Sequence, residues 1–434
     1  MKSILETCRP RDDILTGSFN PEIFTAILSE VIRYYQDESV SVESIYTDAE
    51  QFFDVATYPT ASLRQLLGDV FGRLSGDNAR PALHRLETAF GGGKTHALIA
   101  CTHVAYRGTE LAPLMGGILD ADLLPEPGEV AVVGVQGDEV PVHEPKGKAL
   151  IPYTLWGEIA HQIGGDALYQ QVEDVATSYA APGRPYLDTV LGSRDQKVLI
   201  LLDELAQYAA RLEAARPDGG EQLAAFLFSL HGYARTHPGI AVVVTLAGRM
   251  DAFASQTKQL STLLSEVTGE EVDEETALSV GQKAVDQVTS VAFRDTAPGL
   301  VPVRAAELSK VLAQRLLQDV DRGEAEVAAE AYAAMYERNA RLLPDVAVRA
   351  DYQDRMVANY PFHPTLIDFL NNRLSTAENF QGTRGVLRVL AYAMRCIWRN
   401  QVDAPMIHGS HLDLRNPAVA NELLGRTGSG DFFP

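Results

Sequence analysis

The sequence is poor in cysteine and in basic residues, and each shortage excludes a class of protein. Three cysteines, Cys8, Cys101 and Cys396, occur at wide spacings in 434 residues. An odd number so placed argues against a disulfide framework or a zinc site and fits a reducing compartment. Lys and Arg number 37 against 58 Asp and Glu, for a net charge of −21. Because nonspecific DNA binding depends on basic side chains, we expect DNA contact only through a local groove or a partner.

Long apolar runs are also missing. No uninterrupted stretch approaches the ~20 residues of a membrane span, and the first residues lack the apolar region of a signal peptide. We therefore expect no membrane association and a cytoplasmic location. The hydrophobic content of 46% is ordinary for a globular chain of two or three domains.

A glycine-rich segment stands between a predicted strand and a predicted helix. Residues 87–96 read Glu-Thr-Ala-Phe-Gly-Gly-Gly-Lys-Thr-His. Three glycines let several N–H groups turn toward one anion, and the helix N-terminus adds positive potential. In a phosphate-binding loop (Walker A) Lys94 would contact the β- and γ-phosphates of ATP, and Thr95 would bind Mg²⁺. The predicted nucleotide contacts are Phe90, Gly91, Gly92, Gly93, Lys94, Thr95 and His96.

The match to the phosphate-loop pattern is incomplete, because the pattern has glycine where this chain has Thr88. A flexible glycine turn followed by an unrelated Lys-Thr pair is the alternative for this segment taken alone. The choice between the two depends on a second segment.

That second segment is residues 197–204, Lys-Val-Leu-Ile-Leu-Leu-Asp-Glu. A strand that is apolar on both faces belongs inside a parallel sheet, and ligands collect at the carboxyl ends of such strands. We interpret it as a Walker B motif in which Asp203 holds Mg²⁺ and Glu204 polarises the attacking water. A core strand followed by an acidic helix N-terminus is the alternative.

Three further residues are candidates for the same site. Thr245 closes the next apolar strand, where a polar side chain between the two Walker motifs would sense the γ-phosphate. Arg294 could be presented to the nucleotide of a neighbouring subunit, and Arg384 could reach the γ-phosphate from a lid helix. Ordinary strand or surface positions are the alternatives for each of them.

In this order the motifs resemble the AAA+ class of additional-strand nucleotidases. Five segments are similar to a narrower bacterial family of large, Swi2/Snf2-like ATPases encoded beside DNA-methyltransferase-like proteins in anti-phage islands. ATPases of bacteriophage-exclusion and phage-growth-limitation systems look related. The segments are FGGGKTH at 90–96, TLWGEI at 154–159, LLDEL at 201–205, YPFHP at 360–364 and FQGTRGVLR at 380–388.

The resemblance implies an ATPase within a multi-protein defence complex acting on DNA, with a DNA-methyltransferase-like protein among its partners and homo-oligomers in its assembly. Members of the family are typically longer, so we expect this chain to be a fragment or a truncated protein. The predicted fold is an α/β P-loop NTPase of the AAA+ class, with a parallel sheet sandwiched by helices. An N-terminal helical cap at 1–80, a nucleotide-binding core at 81–304 and a helical lid at 305–434 are the predicted domains.

The predicted cofactors are ATP and Mg²⁺, and the predicted reaction is ATP hydrolysis. A nucleotide-dependent switch or scaffold that recruits effectors with little turnover is the alternative. A kinase or other phosphotransferase is disfavoured, because an Asp-Glu pair on a buried strand is the hydrolase arrangement.

Overall fold

The computed structural model describes residues 1–20, 24–37, 44–88, 92–146, 149–192, 196–247, 260–262, 264–265, 271–292, 299–374 and 382–425. The strands in these ranges are β1 Cys8–Pro10, β2 Leu83–Thr88, β3 Val130–Gln136, β4 His143–Lys146, β5 Ala149–Pro152, β6 Lys197–Asp203, β7 Ile240–Ala247, β8 Gly299–Leu300 and β9 Leu317–Val320.

The main helices are α1 Ile4–Thr7, α2 Asp12–Thr16, α3 Leu28–Gln36, α4 Ala49–Gln51, α5 Ala61–Leu74, α6 Lys94–Arg107, α7 Leu155–Gln171, α8 Glu173–Ala176, α9 Arg184–Val190, α10 Leu205–Ala215, α11 Gly219–Thr236, α12 Glu274–Ala292, α13 Leu308–Leu316, α14 Gly323–Arg338, α15 Ala350–Asn359, α16 Pro364–Phe369, α17 Gly382–Arg399 and α18 Pro417–Ala420. A π-helical turn, Phe52–Ala56, continues α4. Within the described ranges no helix is both long and apolar enough to cross a membrane.

A parallel sheet of five strands forms the centre of the protein, in the order β3-β6-β7-β2-β8. Numbered along the chain and read from the opposite edge, this is the order 5-1-4-3-2. Strand β7 therefore separates β2, which leads to the glycine loop, from β6, which ends in Asp203. Because all five strands run the same way, the glycine loop, Asp203 and Thr245 meet at the carboxyl edge of the sheet.

Helices cover both faces of this sheet. Side chains alternate along a strand, so Leu199 and Leu201 of β6 pack against α3, α5 and α6. Ile200 and Leu202 pack on the other face, against α7, α10 and α11, in a core that includes Trp156. The predicted arrangement of a parallel sheet flanked by helices on both faces is confirmed.

The C-terminal helices form a second core, and the first residues of the chain belong to it. Strand β1 pairs antiparallel with β9, with Cys8 opposite Val320. The Ile4 N–H donates to the Ala404 carbonyl at 2.8 Å, and the Thr7 hydroxyl is 2.5 Å from that of Tyr360. The region predicted as one N-terminal cap, 1–80, is thus divided: α1 and α2 join the C-terminal core, while α3 to α5 pack on the sheet.

Some local expectations differ from the structure. The β-branched residues from Val288 onward are typical of a strand, but Val288 lies in α12, and the fifth strand comprises Gly299–Leu300. Ala277, Ala284 and Val288 are all buried, and their spacings of seven and four place them on one helical face. Helix α13 ends at Leu316, because the next residues extend into β9.

Candidate functional site

Strand β6 ends in a tight turn at Glu204. Glu204 has φ 49° and ψ 38°, in the left-handed region that side chains other than glycine rarely adopt. Its N–H donates to Thr245 Oγ1 at 3.0 Å and to Asp203 Oδ1 at 3.1 Å. These hydrogen bonds help to offset a backbone strain of about 1–3 kcal/mol. Strain of this kind is typical of functional sites, and here it accompanies a carboxylate that lines a cleft.

Thr245 is fully buried and joins the two acids. Its Oγ1 donates to Asp203 Oδ1 at 2.5 Å and accepts from the Glu204 N–H. Within the described part of the chain, the hydrogen bonds to the Asp203 carboxylate go to Oδ1. Oδ2 is therefore the oxygen left for a cation or for a water that such a cation binds. The structure brings together the three residues predicted at the ends of β6 and β7.

The glycine loop leads directly into α6. Gly93 has φ 79°, and a Cβ there would lie 3.2 Å from Cγ2 of Val303, so both the backbone and the space favour glycine. Lys94 is the first residue of α6 and is only 6% exposed. Its amine is therefore held inside the protein at the helix N-terminus, where anions are favoured.

A cleft that is partly open to solvent brings four of the predicted catalytic and magnesium-binding residues together. Lys94, Thr95, Glu204 and Arg384 all line it. Most of the remaining lining is apolar or aromatic: Phe24, Ala26, Tyr46, Ala56, Tyr58, Leu63, Ala97, Pro302, Val303, Val311 and Leu387. An apolar cleft with a few convergent polar groups is typical of a small-molecule site.

The electrostatics of Glu204 reflect the same neighbours. Burial, followed by the charge of Asp203, raises the pKa of Glu204 to about 7. Lys94 and Arg384 act in the opposite direction, while Asp138 adds to the rise. The side chains are thus close enough to influence one another's charge. A carboxylate with a pKa near neutrality is suited to accept a proton at physiological pH.

Arg384 and Arg388 take different directions from α17. Arg384 lines the cleft, and its Nη2 donates to the Ala26 carbonyl at 3.4 Å. Arg388 is buried and its Nε donates to Glu422 Oε2 at 3.0 Å. Of these two arginines four residues apart, Arg384 is the one at the cleft.

His96 lines the cleft, but its ring is engaged by the helical cap. The ring stacks on Phe52 at 4.3 Å between centroids, and Nε2 shares a hydrogen bond of 2.9 Å with Thr57 Oγ1. Burial, together with the charge of Arg315, lowers the pKa of His96 to about 3, so the ring is neutral. Phe90, Gly91 and Arg294 lie outside the described residues.

Sequence reasoning missed three residues at this site. Gly137, just after β3, donates its N–H to the Asp203 carbonyl at 2.8 Å, and a Cβ there would lie 2.4 Å from the Glu204 carbonyl oxygen. Gln207 Nε2 donates to Glu204 Oε2 at 3.2 Å. Gly137 follows an apolar strand, and Gln207 comes three residues after Glu204. These positions could have identified both residues from the sequence. Arg315 is buried beside the cleft, and nothing local in the sequence indicates it.

Thr95 and Asp203 are the residues of this site that could hold a metal ion. In the ranges the structure describes, no group of three or more His, Cys, Asp or Glu side chains could hold a metal by itself. Thr95 and Asp203 instead supply one hydroxyl and one carboxylate. Mg²⁺ usually takes one or two such ligands together with waters and substrate phosphates.

The fold and the cleft define an α/β protein whose five-stranded parallel sheet is compatible with a P-loop-like fold. Residues 4–262 match the DUF499 N-terminal domain, and residues 303–432 match the DUF499 second domain. The chain therefore belongs to the DUF499 family. No curated protein and no solved structure matches it.

Proposed function

We propose that this protein binds Mg-ATP in the cleft and hydrolyses it to ADP and phosphate. The observation that carries the proposal is the convergence of Lys94, Thr95, Glu204 and Arg384 on one cleft. Lys94 and the N–H groups of the glycine loop would hold the phosphates. Thr95 and Asp203 would hold Mg²⁺, and Arg384 would contact the γ-phosphate.

The strand order supports a P-loop NTPase of the additional-strand, AAA+ type. In that class a strand lies between the strand before the phosphate loop and the strand that ends in the acidic pair. Strand β7 has this place, and Thr245, two residues before its last, donates to Asp203 Oδ1 and accepts from the Glu204 N–H. The helical lid of the proposal corresponds to the C-terminal helices that carry Arg384.

The chemistry assigned to this chain is the activation of water. Glu204 accepts a proton from the water that attacks the terminal phosphorus, and the bond between that phosphorus and the bridging oxygen breaks as ADP leaves. Lys94 and Arg384 stabilise the negative charge that develops on the phosphoryl oxygens. Bound Mg²⁺ would neutralise phosphate charge and help to orient the terminal phosphoryl group.

We further propose that the ATPase is the motor or regulatory subunit of a bacterial anti-phage defence complex that acts on DNA. This part rests on the sequence segments described above, including FGGGKTH, LLDEL and FQGTRGVLR. A DNA-methyltransferase-like protein is the expected partner, and a second copy of the chain would supply Arg294. The net charge of −21 makes a partner-assisted contact with DNA the better expectation.

The test compares the parent protein with Lys94→Ala in Mg-ATP binding and in phosphate release, with and without DNA. We expect the parent to bind and hydrolyse ATP and Lys94→Ala to lose most of both. Lys2→Ala, which removes a half-exposed lysine paired with Glu324, is the matched control and should behave as the parent.

Equal turnover by Lys94→Ala and the parent would contradict the proposed site. Binding that depends on Lys94, without turnover under any condition, would instead identify a nucleotide-controlled switch. A parent protein that does not bind Mg-ATP would exclude both functions.

A further inference from the structure

The helix that follows Glu204 carries a glutamine directed at it. Gln207 is 6% exposed, and its Nε2 donates to Glu204 Oε2 at 3.2 Å. We propose that Gln207 is a positioning residue for hydrolysis, which orients the Glu204 carboxylate and accepts, at Oε1, a hydrogen bond from the attacking water. This inference rests on the proposed ATPase function and extends it to a residue outside the Walker motifs.

The amide oxygen of Gln207 is the observation that points to a water. Oε1 is buried and has no hydrogen-bond partner among the residues that the structure describes. Buried acceptors are nearly always satisfied in native proteins, because an unpaired one loses its hydration without compensation. The carboxylate of Glu204 can only accept when ionised, so the amide nitrogen faces it and the oxygen is left for another donor.

A water at Glu204 is the donor that the geometry favours. The nitrogen and oxygen of the Gln207 amide belong to one small planar group, and the nitrogen contacts the carboxylate that lines the cleft. A water bound to Glu204 carries two hydrogens. One can pass to the carboxylate while the other is held by Oε1, which fixes the orientation of the oxygen lone pair.

Helix α10 is hydrogen-bonded near the turn at Asp203 and Glu204 at a second point, one helical turn after Gln207. The Arg211 guanidinium donates to the Gly137 carbonyl, and the Gly137 N–H donates to the Asp203 carbonyl at 2.8 Å. The i, i+4 spacing places Gln207 and Arg211 on the same side of the helix. Helix α10 therefore contacts the Glu204 side chain directly through Gln207. Through Arg211 and Gly137 it is also linked to the backbone of Asp203, the residue before Glu204.

The reaction step conserves protons and electrons. The water oxygen forms a bond to the terminal phosphorus, the bond to the bridging oxygen breaks, and its electron pair leaves with ADP. One water proton moves to Glu204, and the other stays on the new phosphate oxygen. Gln207 gains and loses no proton, so its role is to position rather than to catalyse.

The split between kcat and ATP affinity separates this role from simple packing. Gln207→Met keeps the length and much of the shape of the side chain but removes both the Nε2 donor to Glu204 and the Oε1 acceptor. Gln207→Glu keeps an acceptor oxygen but loses the N–H that Glu204 accepts and adds a like charge, so it should lower kcat as well.

The experiment measures steady-state ATP hydrolysis and ATP affinity for the full chain with Mg-ATP. Gln207→Met should lower kcat about 10- to 100-fold, part of the general-base contribution, with ATP affinity unchanged within about twofold. Gln171→Met, at an exposed helical glutamine, is the matched control and should leave both quantities unchanged. Unfolding temperatures of all variants establish that they are folded.

Three results would overturn the inference. If Gln207→Met and Gln207→Glu keep the parent kcat while the parent hydrolyses ATP, Gln207 has no positioning role and the ATPase function stands. If ATP affinity falls as much as kcat, Gln207 acts in binding. If the parent protein does not hydrolyse ATP at any pH, the inference and the proposed hydrolysis fail together.

Discussion

Replacing Glu204 by Gln should stabilise the nucleotide-free protein at alkaline pH and change little at acid pH. Burial and the adjacent Asp203 raise the pKa of Glu204 from 4.5 to about 7, so ionisation is disfavoured in the folded state. At 1.36 kcal/mol per pH unit, this rise amounts to up to about 3 kcal/mol of lost folding free energy once the group is ionised in both states. Gln has nearly the same shape and carries no charge.

The sign of the effect follows from proton binding. Between pH 4.5 and about 7 the folded protein holds a proton on Glu204 that the unfolded chain has released. Glu204 therefore makes the parent less stable as pH rises through this window, and the whole loss is present above it. The advantage of Glu204→Gln should grow from near zero at the acid end to its full value by about pH 8.

Thermal unfolding at several pH values, with EDTA and without nucleotide, measures this difference. At about 2.1 cal/mol/K of unfolding entropy per residue, 1 kcal/mol corresponds to about 1 °C for 434 residues that unfold together, so we expect Tm to rise by up to about 3 °C near pH 8. Glu330→Gln, at an exposed helical position, should show no such pH dependence. Equal Tm values for Glu204→Gln and the parent at pH 8, or a difference that does not vary with pH, would refute the reasoning.

Three further substitutions test the surroundings of Glu204. Gly137→Ala places a Cβ 2.4 Å from the Glu204 carbonyl oxygen, so the free energy of unfolding measured in urea should fall by about 1–3 kcal/mol, and phosphate release should fall too. Unchanged stability and activity would contradict this close approach. Thr245→Val removes a buried hydroxyl that bonds both acids, so the free energy of unfolding should fall by about 1–3 kcal/mol and most of the turnover should be lost. Thr245→Ser keeps the hydroxyl and should retain the stability and the turnover of the parent. Equal behaviour of the two variants would argue against a role of the hydroxyl. Arg384→Gln removes a positive charge that lowers the pKa of Glu204, so the acid limb of the pH–rate profile should move to higher pH, and an unmoved limb would count against its place beside the carboxylate.

The strands and the polar side chains at their ends were predictable because they are local in sequence. The apolar run before Asp203 indicates a strand buried on both faces, and parallel strands bring their carboxyl ends to one edge. That rule alone predicted that Lys94 and Glu204 would lie on the same site, and both line the cleft. The same rule predicted that Thr245 would lie near Asp203 and Glu204.

Other features depend on tertiary contacts that the sequence does not display. Arg315 lies in α13, and it reaches the cleft because α13 packs beside the Phe52–Ala56 turn; its Nη2 donates to the Tyr46 hydroxyl at 3.0 Å. His96 follows the glycine loop directly, which favoured a nucleotide contact, yet its ring stacks on Phe52. The residues around Val288 are β-branched and favour a strand, whereas packing on α10 and α11 holds them in a helix.

The pairing of β1 with β9 means that the two matched domains cannot be separated by a single cut. Residues 4–262 match one domain and 303–432 the other, yet Cys8–Pro10 completes a sheet with Leu317–Val320. Expressing the second domain alone would expose the edge of β9 and remove Ile4 and Ile14 from its core. An isolated second domain should therefore be prone to aggregate, and adding the first 24 residues as a peptide should restore its folding. Any rearrangement that separates the two halves in evolution would have to carry this short N-terminal segment along with the C-terminal helices.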